Sequence, residues 1–208
     1  MHLAIGAGVI YPIACGRGAD KALSQNNLLF YDSSWMKRRD KMFEKGDFIV
    51  YGNTGVCEVK DITTLDMAGA PKNRLYYILS PSHRKESKIF TPVDGNKTVM
   101  RAVLTKEEAD VLIENIPVIE ELWVGNDKLR EEKYKETMRS CDCKDWIKII
   151  KTLYMRKKER IAQGKKTTAM DEKYLRMAEE NLYSELSLAL GIPKEQMEEY
   201  IIKCIAKV

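Results

Sequence analysis

The sequence has almost no histidine. His2 and His83 are its two, far apart in the chain, so histidine-based acid–base catalysis and histidine-rich zinc sites have little to build on. Cysteine is scarce and odd in number, five in 208 residues, and no Lys/Arg n-region precedes the early apolar stretch Leu3 to Cys15. That pattern points away from export and a disulfide framework, and toward reduced thiols in the cytoplasm. Long apolar runs are missing too. None approaches the roughly 20 residues of a membrane span, so no membrane partner is expected. Cys141-x-Cys143 lacks a second pair and a nearby His, which argues against a metal site, and no cofactor is expected. Glu131-Glu132 and Glu179-Glu180 are adjacent residues on different helix faces, and no nucleophile–base set is visible. An enzyme is not expected.

What the chain does have is charge, unevenly placed. Residues 126–176 carry 16 Lys/Arg against 9 Asp/Glu, between a balanced segment before them (16 against 16) and an acidic one after (3 against 6). A basic block of this kind suits a polyanion partner, and its bland alternative is a solvated helix face.

Residues 1–41 show no periodic apolar face. They read as a disordered arm, or as a mis-annotated start whose natural beginning is Met42. Signals for β structure follow. Gly46-Asp47 turns into Phe48 to Tyr51, Gly52-Asn53-Thr54-Gly55 turns again, and Val56 to Ile62 returns. Leu75 to Leu79, Lys88 to Val93 and Val99 to Val103 are further short strands, separated by a loop over 66–73 and by turns. With no helical period in this half, a small SH3/Tudor-like β-barrel over 42–103 is expected.

At Thr105 the period changes. Thr105-x-x-Glu108 is a capping box ahead of Ala109, Leu112, Ile113 and Ile116. Asn126 or Asp127 is placed to cap a helix carrying Leu129, Tyr134 and Met138. Asp142 caps the strongest helix, with Trp146, Ile149, Ile150, Leu153 and Tyr154 on one face and Lys144, Lys148, Lys151 and Lys158 on the others. Thr168-x-x-Asp171 opens another, through Leu175, Ala178, Leu182, Leu186 and Ala189 to Gly191. Pro193 opens the last, through Met197, Ile201 and Ile205. The fold class is therefore α+β: the barrel, then an all-α helical bundle over 104–208, the two separable near Arg101 to Lys106.

Two stretches narrow this. Lys45-Gly46-Asp47-Phe48-Ile49-Val50-Tyr51, continuing to Gly55-Val56, resembles the opening of the CarD/CdnL family of bacterial transcription regulators, a domain type shared with transcription-repair coupling factors. Arg130…Tyr134…Ser140-x-Asp142, Ile149-Ile150-Lys151-x-Leu153-Tyr154-x-Arg156-x-x-Glu159-Arg160 and Leu175-x-x-Ala178-x-x-x-Leu182-x-x-Glu185-Leu186 are similar to that family's helical domain. The resemblance implies a barrel that binds the RNA polymerase β subunit. It also implies a helical domain on promoter DNA near the transcription bubble, where a Trp wedges into the minor groove and stabilises the open complex.

The likeness fails at the key point, because the family's wedge position falls at Asp127. Trp123, four residues earlier, is the candidate replacement, with Gly125 and Asn126 to present it; otherwise it is a buried anchor between the domains. Trp146 lies on an apolar helix face and reads as core. For phosphates the candidates are Arg130, Arg156, Lys157, Arg160, Lys165, Lys166 and Lys173. The family's polymerase-contact arginines fall on Leu65 and Phe90 here. Arg74, Arg84, Lys88 and Phe90 are the candidates for that contact, along an exposed strand. A monomer is expected. Two other readings stay open: a KOW-like RNA- or ribosome-binding module, and a polymerase-binding adaptor without a DNA role.

Overall fold

The computed structural model describes residues 42–64, 73–84, 86–95, 98–124 and 127–206, with the side chain of Asp127 excepted. Residues 1–41, and with them the expectation of a disordered arm, lie outside the described residues, as do Leu65 and the Gly125-Asn126 pair.

Five strands form one antiparallel sheet: β1 (Phe48–Tyr51), β2 (Gly55–Thr64), β3 (Leu75–Pro81), β4 (Ile89–Pro92) and β5 (Met100–Ala102), in the order β4-β3-β2-β1-β5. The expected barrel is a correction, because the sheet is not closed and β4 and β5 remain separate edges. Its physical reason lies in β5, a three-residue strand that pairs with β1 on one side and turns a buried side chain, Arg101, into the helices. The two-residue period gives the sheet two different faces. Ile49, Cys57, Val59, Tyr77 and Leu79 share one small core with Phe43. Val50 and Val56, paired across β1 and β2, point the other way into a core shared with the helices.

Five α-helices follow: α1 (Lys106–Asn115), α2 (Arg130–Arg139), α3 (Cys143–Ala162), α4 (Ala169–Leu190) and α5 (Lys194–Ile205). Three starts obey the capping rule. Thr105 and Glu108 form the reciprocal box on α1, Asp142 accepts from the Lys144 N–H on α3, and Thr168 accepts from the Asp171 N–H on α4. α2 departs from expectation. Its N-cap is Leu129, which makes no side-chain capping bond, after a 3-10 turn over Asp127–Leu129; the expected caps, Asn126 and the Asp127 side chain, lie outside what is described. Trp146 is fully buried, as its place on the α3 stripe requires, and Gly191 ends α4 in the left-handed conformation.

The sheet and the helices are locked together by a buried ion pair. The Arg101 guanidinium donates to both carboxylate oxygens of Glu185 on α4, the Nη2 bond measuring 2.8 Å, and its Nε donates to the Cys141 carbonyl. Glu185 also accepts from the Leu104 N–H and lies 3.1 Å from the Cys143 sulfur. Burial opposes the charge on Arg101, but the Glu185 carboxylate overrides it and the net shift is upward. The boundary expected at Arg101 to Lys106 thus runs through a buried network, and one core spans both halves.

Another carboxylate of α4 is perturbed by its surroundings. Glu179 on α4 is pushed up to about 7 by burial and by the neighbouring Glu198, with Lys157 acting in the opposite direction. Its folded value lies above the ordinary 4.5, so folding is unpenalised below pH 4.5 and loses stability as pH rises toward 7. Glu179→Gln is expected to gain at most about 2–3 kcal/mol over the parent at pH 8 and nothing at pH 4.5. Urea unfolding at the two pH values checks this; an equal gain at both rules out titration as the cause.

Candidate nucleic-acid interface

Among the described residues the helical half exposes several large apolar side chains, Val118, Trp123, Leu129, Ile161 and Leu188, of which Trp123 is the largest and the most exposed. After α1 a 3-10 turn, Ile116–Val118, leads through an extended Ile119 into an irregular stretch along α3. There Ile119, Leu122 and Val124 pack against the helical core while Trp123 between the last two is 83% exposed. The backbone is held from α3. The Leu122 N–H donates to Thr152 Oγ1 at 2.8 Å, and Lys151 Nζ donates to the carbonyls of Pro117 at 3.2 Å and Ile119 at 2.6 Å. Trp123 is therefore not the buried anchor that was the alternative reading. An indole combines an apolar body with a polar N–H, and such side chains are enriched at contact surfaces.

The expected phosphate contacts fall into two sets. Arg130 is buried at the start of α2, and Arg156 Nε donates to the buried Asp171 at 2.8 Å, which makes both part of the helical packing. Arg160 Nε donates to the Lys166 carbonyl at 2.8 Å, closing the loop between α3 and α4, while Lys157 is half-buried. The remaining three are outward. Lys165 and Lys166 are exposed on that loop, where Lys165 reaches Gln163, and exposed Lys173 lies 5.3 Å from the centre of the Tyr174 ring. Glu131, whose carboxyl is held below its ordinary range first by the hydrogen bond from Lys135, lies on the same side through its contact with the Tyr174 hydroxyl.

On the sheet, the candidates for a protein partner gather at the β3–β4 hairpin. Phe90 pairs with Ile78 across the strands, on the face opposite the Phe43 core, and is 44% exposed on the edge strand β4. Arg84 and Lys88 are exposed in the connecting loop. Arg74, at the start of β3, pairs with Asp94 at 2.7 Å, a pairing that raises the arginine and lowers the aspartate, so its charge is already answered. An edge strand with an exposed aromatic is suited to pairing with a strand of another chain.

Two features escaped the sequence. Lys151 stands between apolar positions on α3, and the stripe puts it on an outer face, yet it is buried and works as a carbonyl clamp. Burial pushes its pKa down, with the Glu121 carboxylate acting the other way. Glu185 is the other, and there a signal existed: it falls beside Leu182 and Leu186 on the apolar stripe of α4, where a carboxylate requires a partner. Among the described residues no cluster of His, Cys, Asp and Glu is arranged to hold a metal ion, and no helix is long and apolar enough to cross a membrane.

Two family models match the sequence. The CarD-like/TRCF RID domain matches residues 43–104, and the CarD C-terminal domain matches residues 120–202. No curated protein matches closely enough to be counted.

Proposed function

The chain belongs to the CarD/CdnL family, and on that premise we propose that it regulates transcription by docking on the RNA polymerase β subunit through its sheet and steadying opened promoter DNA with its helical half. The match over 43–104 is to a polymerase-interacting domain type and supports a transcription-related, polymerase-interacting role. The β4 edge with Phe90, flanked by Arg84 and Lys88, supports that side of the sheet as the docking surface.

For the DNA role one observation carries the reading: Trp123 is 83% exposed on a backbone clamped to α3, within the half that carries the basic block. An apolar wedge resists restacking of a base step, and the exposed cations Lys165 and Lys166 on the loop after α3 are suited to phosphates elsewhere on the duplex. A KOW-like module has no use for the helical match over 120–202, which favours the regulator.

The test is the lifetime of open promoter complexes on purified cognate polymerase with and without the protein, alongside β-subunit capture in the presence of nuclease. Longer lifetime and nuclease-resistant capture support the proposal; capture without a lifetime effect leaves an adaptor with no DNA role. A finer expectation concerns salt. Lys165→Ala with Lys166→Ala is expected to flatten the log–log dependence of DNA affinity on salt by about one unit per lysine, with sequence preference unchanged. An unchanged slope removes both from the interface.

A further inference from the structure

Trp123 sits in a stretch whose register decides whether it is inside or outside. Over residues 122–124 the side chains alternate sides, so a slip of one residue there exchanges inside and outside. Here Leu122 and Val124 face the helical core and Trp123 faces solvent. The slipped arrangement turns the indole inward and the two aliphatic side chains outward. Apolar burial alone does not separate the two arrangements by a wide margin, because an indole offers large apolar area of its own. What separates them is directional. The Leu122 N–H meets Thr152 Oγ1, and the Lys151 ammonium meets the Pro117 and Ile119 carbonyls. Thr152 is itself oriented, donating its hydroxyl to the Lys148 carbonyl at 2.7 Å.

We propose that Lys151 and Thr152 are positioning residues, whose hydrogen bonds to the backbone of 117–122 set the register that keeps Trp123 outside. The inference rests on the DNA reading of Trp123 only for its consequence; the register itself is a property of the folded chain. A side-chain-to-backbone pin of this kind is specific to position, because a slipped stretch offers Thr152 and Lys151 different groups at different distances. Lys151 is suited to the task by its burial, because the cost of taking an ammonium out of water is offset only while its carbonyl partners stay in place.

The experiment labels the full chain with 5-fluorotryptophan and reads the fluorine resonances of Trp35, Trp123 and Trp146, with Trp123 assigned through Trp123→Phe. In the parent protein the Trp123 resonance is expected to shift on exchange of water for deuterated water, as an exposed ring should. In the Lys151→Met, Thr152→Val double variant that solvent shift is expected to shrink, or a second Trp123 resonance to appear, while the buried Trp146 resonance stays. A Trp123 resonance that is unaltered in the folded double variant overturns the inference. Should the double variant lose the Trp146 resonance, the near-isosteric Thr152→Val alone is read the same way.

Open-complex lifetime then separates this inference from the functional reading. Thr152→Val is expected to shorten it about fivefold, the factor for one hydrogen bond, when Trp123 is present and not at all on a Trp123→Ala background. Equal shortening on both backgrounds means a general structural effect and overturns the positioning role. If Trp123→Ala alone has no effect, the DNA reading fails, and the fluorine resonances still decide the register.

Discussion

Glu185→Ala is expected to cost about 3–5 kcal/mol of folding stability, a large part of what a domain of this size possesses. The substitution leaves the Arg101 guanidinium buried with no carboxylate to answer it. It also removes the acceptor of the Leu104 N–H and the partner of the Cys143 thiol, whose pKa burial and Glu185 together push well up. Arg101 has few ways out, since it is itself buried and its Nε is held by the Cys141 carbonyl. Glu185→Leu combined with Arg101→Met is expected to recover most of the loss, because the pair's attraction is largely offset by the cost of taking both charges out of water. Urea unfolding of Glu185→Ala and of the double variant measures this. A Glu185→Ala cost below about 1 kcal/mol, or no recovery in the double variant, means that the pair is not what joins β5 to α4.

Local signals were legible in the sequence wherever a single residue sets a boundary. Asp142, Thr105 with Glu108, Thr168 and Gly191 mark helix ends that the structure places where their hydrogen bonding or backbone freedom requires. The five strands were legible for the same reason, since Phe48 to Tyr51 and Leu75 to Leu79 carry β-branched and aromatic residues between turns. Closure of the sheet was not. It depends on how β5 is held against the helices, and the partner of its Arg101 is Glu185, 84 residues on. The candidate site was legible in its residue types and not in their roles. Arg130 and Arg156 look like Lys165 in a list of cations, but the first two are drawn into packing while the last is held out on a loop. Trp123 could be placed only with α3 in view, because its exposure follows from what Leu122 and Val124 touch.

The second large effect is expected at Gly55, where sheet and helix touch with no room to spare. Gly55 has φ +78° and ψ −143°, a combination that costs any residue with a Cβ about 1–3 kcal/mol. A Cβ built there would lie 2.4 Å from Oδ1 and 3.0 Å from Cγ of Asn181 on α4. Asn181 is buried, so relieving the contact requires its side chain to repack or α4 to move away from β2. Overpacking of this kind costs about 1–3 kcal/mol more, and Gly55→Ala is expected to lose about 3 kcal/mol or more in total. Asn181→Ala opens the space but leaves the backbone strain, so Gly55→Ala on that background is expected to cost visibly less, with the remainder set by φ alone. The functional consequence follows from the geometry. The β4 edge and Trp123 sit on the two parts that this contact and the Arg101–Glu185 pair hold together. Displacing α4 therefore changes how both can be engaged at once. On the proposed function, Gly55→Ala is expected to shorten open-complex lifetime while β-subunit capture persists, although neither Phe90 nor Trp123 has been altered. If thermal melts show the stability loss but open-complex lifetime at a temperature where the variant is folded matches the parent, the fixed spacing of the two contacts plays no part in function, and each acts independently.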